Sequence, residues 1–169
     1  IEYGEIVSMP ETERAIRTAL QSAQKLANFR VDHVIACVSG GCPRSYGLEG
    51  VIDIKNEIVD DKDIADVLES CGIPAYESDR EVLHAQPVNF SLDHRTGLSD
   101  PRGQIGKNLS VDMHMLTIKE KTIQDLAYCI KRCDLELAGV ASSSYVSALS
   151  SLVEDEKELG AACIDLGGG

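Results

Sequence analysis

Apolar residues recur at helical spacing in four stretches of the chain, and each stretch predicts a helix with one buried face. The first helix is expected over residues 9–28, where Ser8 and Glu11 form a capping-box signal. The second begins near Asp60 or Asp61 and is stopped by Gly72. The apolar faces of the other two contain Ile123, Leu126, Ala127 and Ile130, and Ala141, Tyr145, Ala148, Leu149 and Leu152.

Other stretches alternate in polarity or are apolar over a short distance, which is typical of strands. The clearest alternation runs from Leu109 to Met115 and predicts a strand with one buried face. Pro87 places its strand at a sheet edge or at a bulge. The predicted strands are 33–38, 46–54, 81–92, 109–115, 135–140 and 160–166, and we expect the first and the last, which contain Cys37 and Cys163, to be buried.

Two polar segments separate these elements. Residues 93–108 predict a long polar loop, and the acidic stretch 154–158 predicts a solvated link. The resulting order of helices and strands is typical of the mixed α/β (α+β) class.

The charge of the chain restricts its partners. It has 16 Lys and Arg against 28 Asp and Glu, a net charge of −12, so we expect no nucleic-acid binding and no attraction to an anionic membrane. Residues 49–69 carry eight of the acids and two lysines, and this run favours a solvated face over a partner site. We expect neither a signal peptide nor a membrane-spanning helix.

Candidate catalytic and metal-binding groups are weak. The six cysteines contain no C-x-x-C pair and are expected to be reduced and used as small hydrophobic residues. The four histidines lack metal spacing within any one element, and Ser142-Ser143-Ser144 lacks a G-x-S-x-G elbow. These patterns support neither a metal centre nor hydrolase or redox chemistry.

The last residues offer one candidate binding motif. Asp165-Leu166-Gly167-Gly168-Gly169 follows a predicted buried strand, and such glycines let backbone N–H groups approach phosphates while the aspartate holds Mg²⁺ through water. A plain glycine turn is an equally good interpretation of this motif alone. The strand that should return from the turn and a second phosphate loop are not found in the sequence.

The long loop 93–108 is the candidate contact region. Arg95, Arg102 and Lys107 give it a mild positive charge on an otherwise acidic chain. Loops of this length are commonly functional or disordered, so a protein contact and a floppy hairpin tip are both open.

Seven short motifs, read together, are more specific than any one of them. They are Val38-Ser39-Gly40-Gly41, the run 80–87 (REVLHAQP) with Asp93 and Gly97 downstream, Asp100-Pro101-Arg102-Gly103, Val111-Asp112-Met113-His114, Gly139-Val140-Ala141-Ser142-Ser143, the run 154–160 (EDEKELG) and the run 164–169 (IDLGGG). In this order and over nearly the whole chain, they resemble the FtsA family of actin-like bacterial cell-division proteins.

The resemblance implies an architecture. Residues 1–45 would be part of subdomain 1A of the actin-like, ribonuclease H-like fold. Residues 46–133 would be the inserted subdomain 1C, a strand-helix-strand-strand (SHS2-type) unit. Residues 134–169 would return to subdomain 1A and enter the second phosphate loop.

The resemblance also implies a function. The family is a scaffold that helps assemble the FtsZ ring and tethers it to the cytoplasmic face of the inner membrane at the division site. Its subdomain 1C supplies one side of a head-to-tail self-contact and receives later division proteins. The family's membrane contact is made by a C-terminal helix, which we do not find here. A scaffold of this kind would not be an enzyme, beyond a weak ATPase activity of the full-length protein.

The residues that the resemblance singles out are few. Asp165, Gly167, Gly168 and Gly169 would face the phosphates of ATP, with Mg²⁺, in the full-length protein, and we expect this chain alone to bind ATP weakly or not at all. Arg95, Asp100, Arg102 and Lys107 are the protein-contact candidates. Two alternatives remain, a scaffold from the pilus-assembly relatives of the family and a free-standing small-molecule enzyme.

Overall fold

The computed structural model describes residues 2–72 and 78–167 of the chain. In chain order the elements are α1 (Met9–Ala27), β1 (His33–Val38), β2 (Arg44–Asp53), α2 (Asp61–Ser70), β3 (Arg80–Leu92), β4 (Arg95–Leu98), β5 (Asn108–Lys119), α3 (Glu120–Arg132), β6 (Glu136–Ser142), α4 (Ser143–Ser151) and α5 (Glu154–Leu159).

The chain divides into two compact units. Unit one comprises Ile1–Pro43, Asp79–Leu83 and Ile118–Gly169, and unit two comprises Arg44–Ser78 and His84–Thr117. Helix α3, which the sequence analysis placed in the inserted subdomain, packs with α1 and β6 in unit one. The boundaries of the inserted subdomain, residues 46 and 133, stay a prediction.

Unit two is built on a four-stranded sheet with the order β2-β5-β3-β4. Strands β2 and β5 are antiparallel and pair from Arg44 opposite Thr117 to Asp53 opposite Asn108. The alternation predicted for β5 is present, because Leu109, Val111 and Met113 are buried and the residues between them are more exposed. These three side chains join those of α2 and β3 in one hydrophobic core.

Helix α2 begins at a complete capping box. The carboxylate of Asp60 accepts hydrogen bonds from the backbone N–H groups of Lys62 and Asp63, and the side chain of Asp63 accepts one from the Asp60 N–H. The helix buries Ile64 and Val67 against the sheet. It passes β2 at Gly50, where an added Cβ would lie 2.5 Å from the carbonyl oxygen of Val67, so this close packing requires glycine.

Unit one contains two parallel strands, β1 and β6, with His33 opposite Glu136 and Val38 opposite Ser142. The register shifts between Val34 and Ile35, which pair with Leu137 and Gly139, so β6 has an irregularity at this point. One face of the pair packs with α1 and α3 around a cluster centred on Ile130, Cys133 and Leu135.

The structure corrects four sequence-based predictions. The loop predicted over 93–108 contains strand β4, because a two-residue turn returns the chain onto β3. The predicted acidic link is the short helix α5, and its Glu156 side chain accepts the Val153 N–H. Residues 160–166 are exposed and form no strand, since they have no sheet neighbour and no covering layer among the described residues. Cys37 lies in strand β1 as predicted, but its side chain is exposed.

Candidate protein-contact site

The turn between β3 and β4 is fixed by one carboxylate. Leu92 pairs with Arg95 across the turn, and Asp93 adopts a left-handed backbone with φ 53°. The Oδ1 atom of Asp93 accepts hydrogen bonds from the backbone N–H groups of Lys107 and Asn108, each at 3.0 Å. These bonds, first from Asn108 and then from Lys107, hold the pKa of Asp93 below its usual range.

The Arg95 side chain spans the loop that follows β4. One guanidinium nitrogen donates to Gln104 Oε1 at 2.7 Å, and the other donates to the carbonyl oxygen of Ile105 at 3.1 Å. The same loop is joined to the start of α2, because the Val59 N–H donates to the Gln104 carbonyl at 3.0 Å. The predicted loop is therefore bonded along its length and is not a floppy tip.

Arg102 and Asp100 lie together beside α2. Arg102 Nε is 2.8 Å from Asp61 Oδ1, and another guanidinium nitrogen is 3.0 Å from Asp100 Oδ2. Asp100 also accepts the backbone N–H of Arg102. All three side chains are at least half exposed, so these ion pairs contribute only about 0–1 kcal/mol each to stability and remain available to a partner.

Two exposed isoleucines form the apolar centre of the region. Ile58 and Ile105 face each other in an isolated antiparallel bridge, and they are 50% and 71% exposed. A cavity of about 590 Å³ beside them is lined by Ile105, Glu57, His94 and Lys107, among others. An apolar centre with a charged rim is typical of protein interfaces.

The four contact candidates all lie, by their sequence positions, on one segment, residues 93–108. We call this segment, together with Glu57, Ile58 and Asp61, the contact segment. The sequence analysis named Asp93 only as part of a family motif and did not single out Gln104 or the isoleucine pair. An aspartate directly after a strand is a known turn signal and could have identified the role of Asp93 in the turn, whereas no local pattern marks Gln104 or Ile58.

The proposed phosphate-binding residues are at the other end of the chain. Asp165 is exposed, and its Oδ2 accepts a hydrogen bond from Ser147 Oγ at 3.3 Å. Gly167 is exposed in a bend, and Gly168 and Gly169 lie outside the described residues. Their role in holding phosphates stays a prediction.

Within residues 2–72 and 78–167, no three His, Cys, Asp or Glu side chains are grouped as a metal site would require. In the same residues, no helix is both long and apolar enough to cross a membrane. The six cysteines are free thiols, and burial raises the pKa values of Cys71, Cys129 and Cys133.

One polar pair in unit two was not predicted. Ser45 Oγ lies 2.5 Å from His114 Nε2 across strands β2 and β5. Burial, and then the charge of His114, lower the pKa of the half-buried His84 on β3. A serine–histidine pair acts as a nucleophile and its base when a third group orients the histidine. In the part of the chain that the structure describes, no such group is bonded to His114, so we assign the pair no catalytic role.

Comparison with known proteins identifies the relatives of this chain. A family model described as the SHS2 domain inserted in FtsA matches residues 40–117. Across the whole chain, identity is 36% to the cell division protein FtsA of Rhizobium meliloti and 31% to that of Pseudomonas aeruginosa. The chain belongs to the FtsA family. It is also 26% identical to the FtsA of Bacillus subtilis, again over its full length.

This chain spans 38% to 40% of the length of those three FtsA relatives. Among solved structures, it is similar to a chain of the PilM-PilN type IV pilus biogenesis complex, with a TM-score of 0.54 and 9% identity. That likeness covers 88% of this chain and 38% of the other, and at such identity it concerns the fold alone. The predicted family and the mixed α/β class with an SHS2-type domain in a partial actin-like fold are thus confirmed.

Proposed function

We propose that this chain is the part of an actin-like cell-division scaffold that acts through protein contacts, and that the contact segment supplies the contact surface. The main support is homology over the whole chain to proteins named cell division protein FtsA. The SHS2 match covers unit two, which carries the contact segment. The exposed isoleucine pair with charged neighbours is a surface suited to binding another protein.

The proposed partners follow the family. The intact protein polymerises head to tail, with the contact segment on one side of each junction, and it helps to assemble the FtsZ ring and to recruit later division proteins. Its location is the cytoplasmic face of the inner membrane at the division site, which it reaches through a C-terminal helix. These statements rest on the family and on the exposed polar and apolar groups of unit two.

The proposal includes nucleotide binding by the intact protein and no enzymatic role for this chain. The exposed carboxylate of Asp165 is able to hold Mg²⁺ through water, and the absence of a side chain at the exposed Gly167 lets a phosphate approach its backbone. The rest of a clamp for ATP must come from residues outside this chain. We therefore expect the chain alone to show no submicromolar affinity for ATP in calorimetry.

The alternative is a pilus-assembly scaffold. The fold of this chain resembles a chain of the PilM-PilN complex, but the identity there is 9%, against 36% to the FtsA of Rhizobium meliloti. The higher sequence identity to FtsA favours the division scaffold. A free-standing small-molecule enzyme has no comparable support from the groups described above.

The test compares two exposed arginines that make the same local bond. Arg102 pairs with Asp100, and Arg30 pairs with Asp32 at 3.0 Å, in each case two residues apart. Self-association of the intact protein with ATP is measured by sedimentation on vesicles of phosphatidylethanolamine and phosphatidylglycerol. Arg102→Glu should weaken assembly at least about tenfold, because it reverses charge on the contact segment, while Arg30→Glu should not.

Circular dichroism serves as the control for folding in both variants. If a folded Arg102→Glu protein assembles as well as Arg30→Glu, the contact segment is not the self-contact surface. Assembly that fails equally in both variants would also contradict the assignment, since Arg30 lies in unit one.

A further inference from the structure

The contact segment is closed into a ring by a single side chain. Asp93 leads out of β3, and its carboxylate returns to the N–H groups of Lys107 and Asn108, at the start of β5. The Asp93 N–H donates to the carbonyl oxygen of Asn108 at 2.9 Å. Residues 15 positions apart are thus joined by backbone and carboxylate together.

The backbone at this point needs the support that the carboxylate gives. Asp93 has φ 53°, a left-handed conformation that costs energy for residues other than glycine and is tolerated best by Asp and Asn. The two accepted N–H bonds offset that cost and satisfy two backbone donors where β5 begins.

Close packing beneath the turn leaves little freedom. A Cβ added at Gly106 would lie 2.5 Å from Leu92 Cδ1 and 3.1 Å from Asp93 Oδ2. The Gly106 N–H donates to the carbonyl oxygen of Glu57 at 3.0 Å. Gly106 is therefore packed closely beside Leu92 and Asp93, and its hydrogen bond joins the segment to Glu57, which neighbours the exposed Ile58.

We infer that Asp93 is the positioning residue of the contact segment, which its carboxylate holds in one preformed shape before a partner arrives. The inference rests on the proposed function, because it presumes that the segment meets a partner. Asp93 itself need not touch that partner. Its role is to remove the cost of ordering Ile105 and Lys107 at the moment of binding.

The experiment uses two substitutions of Asp93 in the intact protein and one matched control. Asp93→Ala removes both accepted bonds, whereas Asp93→Asn keeps a carbonyl oxygen that accepts them without charge. Asp66→Ala, at an exposed aspartate of α2 in unit two, is the control. Amide hydrogen exchange at Lys107 and Asn108 reports the ring, and vesicle sedimentation with ATP reports self-association.

Asp93→Ala should expose both amides to faster exchange and weaken assembly about tenfold, with unchanged far-ultraviolet circular dichroism. Asp93→Asn should restore most of both properties, and Asp66→Ala should alter neither. Unchanged exchange in Asp93→Ala would overturn the inference, because the carboxylate would then not hold the ring.

A further outcome separates this inference from the proposed function. If exchange rises in Asp93→Ala while assembly is unaffected, and Arg102→Glu still weakens assembly, the surface is correct and the positioning role is wrong. If neither Arg102→Glu nor Asp93→Ala alters assembly, the proposed contact surface fails and the positioning role fails with it.

Discussion

Unit two and unit one bury their apolar residues to different degrees. In unit two, Leu92, Leu109 and Val67 are fully buried between the four-stranded sheet and α2. In unit one, the two-stranded parallel sheet leaves Ile35 exposed, and the final segment leaves Ile164 and Leu166 exposed.

The difference follows from the kinds of sheet. An antiparallel sheet can keep one face in water, so a single helix and its own strands suffice to close the core of unit two. Parallel strands are normally covered on both faces, but in β1 the side chains of Ile35 and Cys37, which alternate with the more buried ones, are exposed. Unit two therefore draws its stability from residues of this chain, whereas unit one keeps apolar surface that a partner or further chain can bury.

The largest expected effect comes from the same substitution made in both units. Leu109→Ala removes a side chain that is 0% exposed and should lower the free energy of unfolding of unit two by about 2–5 kcal/mol. Leu166→Ala removes one that is 91% exposed and should change stability by less than about 0.5 kcal/mol. Urea unfolding of both variants measures the two changes in stability. Equal losses of unfolding free energy would mean that the two units do not differ in how completely they bury their apolar residues.

A smaller effect is expected from an added methyl group. Gly50→Ala forces a Cβ against the Val67 carbonyl and the Cys71 sulfur and should destabilise unit two by about 1–3 kcal/mol. Gly139→Ala in β6 meets nothing within 4 Å and should be close to neutral. Thermal unfolding of the two variants tests this, and a neutral Gly50→Ala would show that α2 can move away from β2.

The smallest effect concerns pH. Because the pKa of His84 is lowered in the folded state, the unfolded chain binds its proton more readily. The contribution of His84 is complete above the unfolded pKa of about 6.5 and is lost as the pH falls from there through the folded pKa. Melting temperatures at pH 8 and pH 5 should differ less for His84→Gln than for the wild type. An equal difference in both proteins would show that His84 makes no such contribution.

The sequence predicted those elements whose pattern reflects one-sided burial. The helical spacing of apolar residues located α1 and α3, the caps at Asp60 located α2, and strict alternation located β5. The motifs in family order also identified the family and its inserted SHS2-type domain. The signals for helices and strands are local, because burial of one face places apolar residues at a regular spacing along the neighbouring sequence.

Tertiary structure decided the rest. Strand β4 exists because Asp93 turns the chain back onto β3, and its carboxylate accepts N–H groups 14 and 15 residues later in the chain. The apolar run 160–166 has the composition of a buried strand, but a strand requires a neighbour, and the described residues provide none. Local sequence therefore determined which segments were able to form a helix or a strand. Long-range hydrogen bonding and burial determined which of those segments did form one.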